Sequence, residues 1–155
     1  MVNGSLIHDI SALHDVFGMP DAVLATEIWN DGGGITTTLR YPDDVRAVMI
    51  WVHLPDLWAF EDTFAVYGHA ERVTISFPTG FSRGFPTTVI GQDPDVDGTA
   101  MRRELHWHEN PFKRELEHFH AAVTTGSCLN TPGDELKDHL TLVREIVRAS
   151  FVERS

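Results

Sequence analysis

The sequence has a single cysteine, few basic residues and no long apolar run. Cys128 has no second cysteine for an internal disulfide, which suits a reducing cytosol. Only 12 Lys and Arg stand against 23 Asp and Glu, and the net charge of −11 argues against nucleic acid, whose phosphates need cations. No apolar run reaches the roughly 18 residues of a membrane span, and no secretory signal is visible. We therefore expect a cytoplasmic protein that binds neither nucleic acid nor a membrane.

The motifs of self-sufficient nucleotide-binding enzymes are missing as well. The sequence has no G-x-S-x-G elbow, no P-loop and no G-x-G-x-x-G, and its one "GGG" stands where a hairpin is expected. Cys128 has no Lys or Arg beside it, so we interpret it as an inert thiol. Small molecules and protein partners remain as the expected ligands.

Hydrophobic periodicity predicts a helix, then strands, within a single domain over residues 1–155. The helix is expected over 8–17, where apolar residues recur at helical spacing: Ile7, Ile10, Leu13 and Phe17. In the middle of the chain "ITTTLRY" alternates like a half-buried strand, and "VRAVMIWVHL" is apolar on both faces, as in a central strand. Short connections favour an antiparallel meander.

The last third predicts two more helices. Asn110 is an N-cap, Pro111 follows it at the first helical position, and Gly126 ends the first of these helices. Its apolar stripe is Phe112, Leu116, Phe119 and Val123, and that of the second helix, which starts around 131–132, is Leu136, Leu140, Val143 and Val147. The predicted fold class is α+β: an open, mainly antiparallel β-sheet meander with helices packed on one face, one N-terminal and two C-terminal.

Histidines are the residues most able to carry chemistry. His8, next to Asp9 at a helix start, is either a catalytic group or a histidine that caps or packs. His106 and His108 share a strand face but no third ligand can be named, so we assign no metal ligand. His118 and His120 lie about 200° apart on a helix and cannot share a ligand.

Both ends of the chain carry a pattern that resembles the Gfo/Idh/MocA oxidoreductases. "NPFKRELEHFHAAVTTGSCLNTPGDELKDHLTLVREIVRAS" is similar to the C-terminal signature of that family. "GSLIHDISALHDVFGMP" resembles the segment that holds its active-site His, followed by a helix that ends in Gly-x-Pro. The two patterns occur in the family's order and separation, and the resemblance covers nearly the whole chain.

The resemblance implies that this chain is the second domain of such an enzyme, without the Rossmann domain that binds NAD or NADP. It implies that His8 hydrogen-bonds or deprotonates the reacting hydroxyl, with Asn3 and Asp9 as further substrate-binding residues. Two positions depart from the family, since Gly4 stands where many members have Asp and Ser11 where many have an acid. We expect no cofactor on this chain alone and no dehydrogenase activity from it alone.

Three functions stay open at this point. The first is the substrate-binding and oligomerisation domain of a sugar- or cyclitol-type NAD(P)-dependent oxidoreductase, paired with a Rossmann domain on a separate chain or segment. The second is a stand-alone, non-catalytic module that binds a polar, sugar- or polyol-like ligand. The third is a dimerisation module, because the stretch "AVMIWVHLPDLWAF" offers more apolar surface than one helical layer covers. A homo-oligomer formed through the sheet face is expected.

Overall fold

The structure, a computed structural model, describes residues 2–57, 61–79, 84–129 and 132–152, without the side chains of 2–5 and 152. It has the predicted α+β class, with one helix before the strands and two after them. The elements in chain order are α1 (Val2–Phe17), β1 (Ala22–Trp29), β2 (Gly34–Arg40), β3 (Arg46–Val52), β4 (Asp62–Tyr67), β5 (Arg72–Phe77), β6 (Thr87–Pro94), β7 (Ala100–Trp107), α2 (Pro111–Thr125) and α3 (Gly133–Val152).

The strands are antiparallel, as predicted, but they form two sheets rather than one. The orders are β1-β2-β3 and β4-β5-β6-β7. The pairing stops after β3, where the Leu57 N–H donates to the Leu54 carbonyl in a turn and Pro55 has no N–H for a ladder. The chain accordingly forms two compact units, Met1–Leu57 with Asn130–Ser155, and Trp58–Leu129.

The first unit has its core between the three-stranded sheet and α3. The predicted alternation of β2 is confirmed, because Ile35, Thr37 and Leu39 are all buried. The hydroxyls of Thr26 and Thr37 lie 2.8 Å apart across β1 and β2, and Thr37 also donates to the Ala25 carbonyl. Helix α3 packs on β1, and α1 packs on α3. These buried hydroxyls are therefore satisfied within the sheet.

β3 does not match the sequence prediction of a central strand covered on both faces. It is an edge strand, with Met49 buried but Val48 60% and Ile50 68% exposed. An edge strand with one covered face alternates in burial, whatever the hydropathy of its second face. The exposed face of β2 and β3, which we call the outer face, consists of Thr36, Thr38, Val48, Ile50 and Val52.

Two helix predictions also need correction. Helix α1 begins at Val2 rather than at residue 8, because Leu6 is buried one turn before Ile10 and extends the packed stripe. On α3 the predicted stripe is only partly buried: Val143 is buried, but Leu136 and Leu140 are exposed. The buried residues are His139, Leu142, Val143, Ile146 and Ser150. Two apolar stripes overlap on α3, and the tertiary packing uses the one that contains a histidine.

The second unit contains β4–β7 and α2. Helix α2 begins and ends as predicted: the Asn110 side chain accepts a hydrogen bond from the Lys113 N–H, and Gly126 has a φ of 70°. No residue of α2 is buried, so the prediction that its apolar stripe is packed is wrong for Phe112, Leu116, Phe119 and Val123, which are all exposed. None of the helices in the described part of the chain has the length and apolarity that a membrane crossing requires.

Candidate functional site

Helix α1 places His8 on its solvent-facing side. His8 is exposed, whereas Leu6 and Ile10, two residues to either side of it, are buried. Two helical steps are about 200°, so His8 faces away from the packed stripe. An exposed imidazole can accept a proton from a bound molecule or donate one to it near neutral pH. A buried imidazole cannot reach a molecule bound at the surface.

The other two predicted site residues lie on the same helix. Asp9 is half-buried and is not without an interaction partner. The backbone of Asn3 belongs to α1, but its side chain lies outside the described residues. His8 and Asp9 are consecutive on α1 and their side chains point about 100° apart around its axis, and their roles stay predictions.

A second group of polar side chains lies where α1 meets α3. His14 Nδ1 is 2.8 Å from His139 Nε2, and the two rings meet edge-on with centroids 4.9 Å apart. Glu135 Oε1 lies 3.4 Å from His14 Nδ1 and 3.8 Å from His139 Nε2. His139 is only 1% exposed, whereas the side chains of His14 and Glu135 are 25% and 20% exposed. We call these three residues the helix-junction triad.

The helix-junction triad was not predicted from the sequence. Glu135 and His139 stand four residues apart on one helix, a spacing that puts both side chains on the same face. That spacing was the available signal. The contact with His14 spans 125 residues and depends on how α1 packs on α3.

The other candidate histidines have surface positions. On β7, His106 lies 3.4 Å from Glu104 and 3.2 Å from the Thr88 hydroxyl. Among the described residues, the helix-junction triad is the group of three or more His, Cys, Asp and Glu side chains with metal-ligand spacing. His106 and Glu104 do not belong to such a group. Cys128 is exposed. These positions agree with their interpretation as surface groups.

Tyr41 and Asp97 have shifted pKa values, and both lie far from His8 in the sequence. Burial raises the pKa of Tyr41, whose ring lies 5.6 Å from that of Phe17. The Thr99 hydroxyl, 2.6 Å from Asp97 Oδ1, and the Thr99 N–H lower the pKa of Asp97 by donating to its carboxylate. The first shift belongs to the core and the second to the turn between β6 and β7.

Comparison with known proteins gives a structural likeness. No family model matches the chain, and no curated protein matches its sequence. The fold is similar to the oxidoreductase yvaA from Bacillus subtilis (TM-score 0.75, 13% identity, 96% of this chain and 49% of that one) and to the oxidoreductase yhhX (TM-score 0.71, 17% identity, 94% and 47%). It is also similar to KijD10, a 3-ketoreductase from Actinomadura kijaniata crystallised with NADP and TDP-benzene (TM-score 0.71, 16% identity, 92% and 43%).

The likeness concerns the fold. The chain spans about half the length of these solved structures. At 13–17% identity the structural match does not assign the activity or the ligands of these proteins to this chain. It does show that the α+β architecture found here occurs within oxidoreductase chains of about twice this length.

Proposed function

We propose that this chain is the substrate-binding and oligomerisation domain of an NAD(P)-dependent oxidoreductase of the sugar or cyclitol dehydrogenase type, as in the Gfo/Idh/MocA family. The observation that supports this most strongly is the match of nearly the whole chain to about half of several oxidoreductases. One of them was crystallised with NADP and a nucleotide-linked compound. The position of His8 at the family's active-site pattern is the second support.

The cofactor is assigned to another domain. Every strand pair among the described residues is antiparallel, whereas the βαβ unit that binds a dinucleotide requires parallel neighbours. In this proposal NAD or NADP is therefore bound by a separate Rossmann domain. When the cofactor is bound by a Rossmann domain, it supplies the hydride exchange.

In this proposal His8 handles the proton. Its exposed imidazole hydrogen-bonds the reacting hydroxyl or carbonyl of a sugar- or polyol-like substrate, and takes or returns the proton as the carbon centre is oxidised or reduced. Asn3 and Asp9 are proposed to bind neighbouring hydroxyl groups. A carboxylate and an amide can each accept hydrogen bonds from hydroxyls, so both residue types suit a polar ligand.

Ligand binding tests this assignment on the chain itself. We expect polyols and hexoses to shift the amide NMR signals of α1 around His8 and Asp9, while NADH and NADPH cause no saturable change in tryptophan fluorescence. His8→Ala should raise the polyol Kd measured from these shifts at least fivefold. His108→Ala, which changes another exposed histidine, should leave that Kd unchanged.

Two outcomes would contradict the assignment. Saturable NADH or NADPH binding would place a cofactor site on this chain. If polyols caused no NMR shifts, or shifts only away from α1, the proposed substrate site on α1 would be wrong. The alternative of a non-catalytic dimerisation module would then be favoured.

The outer face of β2 and β3 is proposed as the contact between two copies of the chain. Val48, Ile50 and Val52 are all exposed there. Such an apolar patch on a sheet is typical of a protein interface, and interfaces between identical chains are more apolar than the rest of the surface. Trp51 points to the opposite side, as its neighbours in the alternation show, and is partly covered.

Ile50→Glu should convert the oligomer to monomers. Two symmetry-related glutamates would then face each other on an apolar surface, and burying them without partners is costly. Light scattering should show the mass falling to about 17.4 kDa, that of one chain, with an unchanged circular dichroism spectrum. Val96→Glu makes the same change at a fully exposed loop residue and should keep the wild-type mass. A wild-type mass for Ile50→Glu, or a monomeric wild type, would remove the outer face as the interface.

A further inference from the structure

The helix-junction triad has the composition of a metal site. Two imidazole nitrogens and one carboxylate oxygen approach one another from α1 and α3, and no other function has been given to them. A His₂Glu set is one that Zn²⁺ uses when three protein ligands leave the fourth position open. We propose that His14, Glu135 and His139 bind one Zn²⁺ ion.

The distances between the ligand atoms suit a tetrahedral ion. Zn–N and Zn–O bonds of about 2.0–2.1 Å place neighbouring ligand atoms roughly 3.3–3.4 Å apart. The three atom pairs of the triad lie 2.8, 3.4 and 3.8 Å apart, so they bracket that value. The ion needs shifts of about half an ångström, which side-chain rotation supplies.

The contact between the two histidines is the part that the ion would replace. At 2.8 Å, one ring nitrogen donates its hydrogen to the other. For both nitrogens to bind a metal, each must present its lone pair, so the shared hydrogen moves to the other nitrogen of its ring. Zn²⁺ would then replace the hydrogen bond as the link between the two rings.

Burial and charge also favour a cation at this position. His139 is fixed in the core at 1% exposure, which holds one ligand in place before any ion arrives. His14 and Glu135 are each partly exposed, so water can reach the triad and fill the fourth coordination position. The Glu135 carboxylate offsets part of the ion's charge, and the chain carries a net charge of −11.

The bound ion would join the last turn of α1 to the first two turns of α3. Because α1 also carries His8, one metal site would hold the helix of the proposed substrate site against the C-terminal helix. This consequence is independent of NAD(P) binding and of the proposed enzyme activity.

Metal titration tests the proposal without any activity assay. The chain should be prepared free of metal with EDTA, in a Cys128→Ser background because the exposed thiol could bind Zn²⁺ itself. Isothermal titration with Zn²⁺ should show one ion per chain. Co²⁺ should give the visible absorption of a tetrahedral complex, and Zn²⁺ at a hundredfold excess over its Kd should raise the Tm by roughly 5 °C.

Variants of the two partly exposed ligands decide where the ion binds. His14→Gln and Glu135→Gln should each weaken Zn²⁺ binding at least tenfold and abolish the tetrahedral Co²⁺ spectrum. His106→Ala, which removes the histidine beside Glu104, should change neither. These variants spare the buried His139, so loss of folding does not obscure the result.

The overturning results are equally specific. Absence of Zn²⁺ binding, or binding that persists in both His14→Gln and Glu135→Gln, would leave the triad as a hydrogen-bonded contact between helices. Loss of binding in His106→Ala would move the site to β7. Neither result would bear on substrate binding at His8, so the two proposals can fail separately.

Discussion

His8→Ala should lower kcat by about 10²–10⁴-fold in the proposed enzyme, assembled with a Rossmann domain, because that is the range general acid–base catalysis contributes. The Tm should stay within about 1 °C of the wild type, since His8 is exposed and packs nothing in the core. Steady-state kinetics with a polyol substrate and either NAD or NADP measure the effect.

Two further variants separate proton transfer from other roles of this residue. His8→Gln keeps a hydrogen-bonding side chain without an imidazole. Its KM should therefore lie closer to the wild-type value than that of His8→Ala, while its kcat stays low. His108→Ala should behave as wild type. A large loss of thermal stability in His8→Ala with little loss of kcat would instead mean that His8 is a structural residue.

Leu39→Ala should reduce the free energy of unfolding of the first unit by about 2–5 kcal/mol. Leu39 is 0% exposed on the covered face of β2, so the shorter side chain leaves a cavity. Urea unfolding followed by circular dichroism and tryptophan fluorescence measures the loss.

The matched control lies on the neighbouring strand. Val48 is 60% exposed on the outer face, and Val48→Ala should cost less than about 0.5 kcal/mol in a monomer. Comparison of the two variants in the Ile50→Glu background removes any contribution from the oligomer. Equal losses at both positions would contradict the assignment of the covered and outer faces.

Local patterns predicted the elements whose structure depends on nearby residues. β2 alternates strictly, and its buried threonine is satisfied by Thr26 on the adjacent strand. The ends of α2 follow from Asn110 and Gly126, whose cap conformations are set by their own chemistry. Period and capping are properties of a few consecutive residues, so they can be read from the sequence.

The features that the sequence did not predict depend on distant partners. α3 carries two possible apolar stripes, and the choice between them depends on how the helix packs on β1 and α1. The edge position of β3 depends on where strand pairing stops. The same distinction applies to the candidate functional residues. His8 was identified from a pattern within α1, whereas the helix-junction triad forms only where two helices meet.

The discontinuity of the first unit has a consequence for how the chain folds during synthesis. Its sheet and α1 come from residues 1–57, but α3, which covers the sheet, is synthesised only after the whole intervening unit, 58–129. The meander of β4–β7 has local pairing and can form early, whereas the first unit must wait with its apolar face uncovered. Nascent chains that stall before α3 emerges are therefore expected to be the species that chaperones bind.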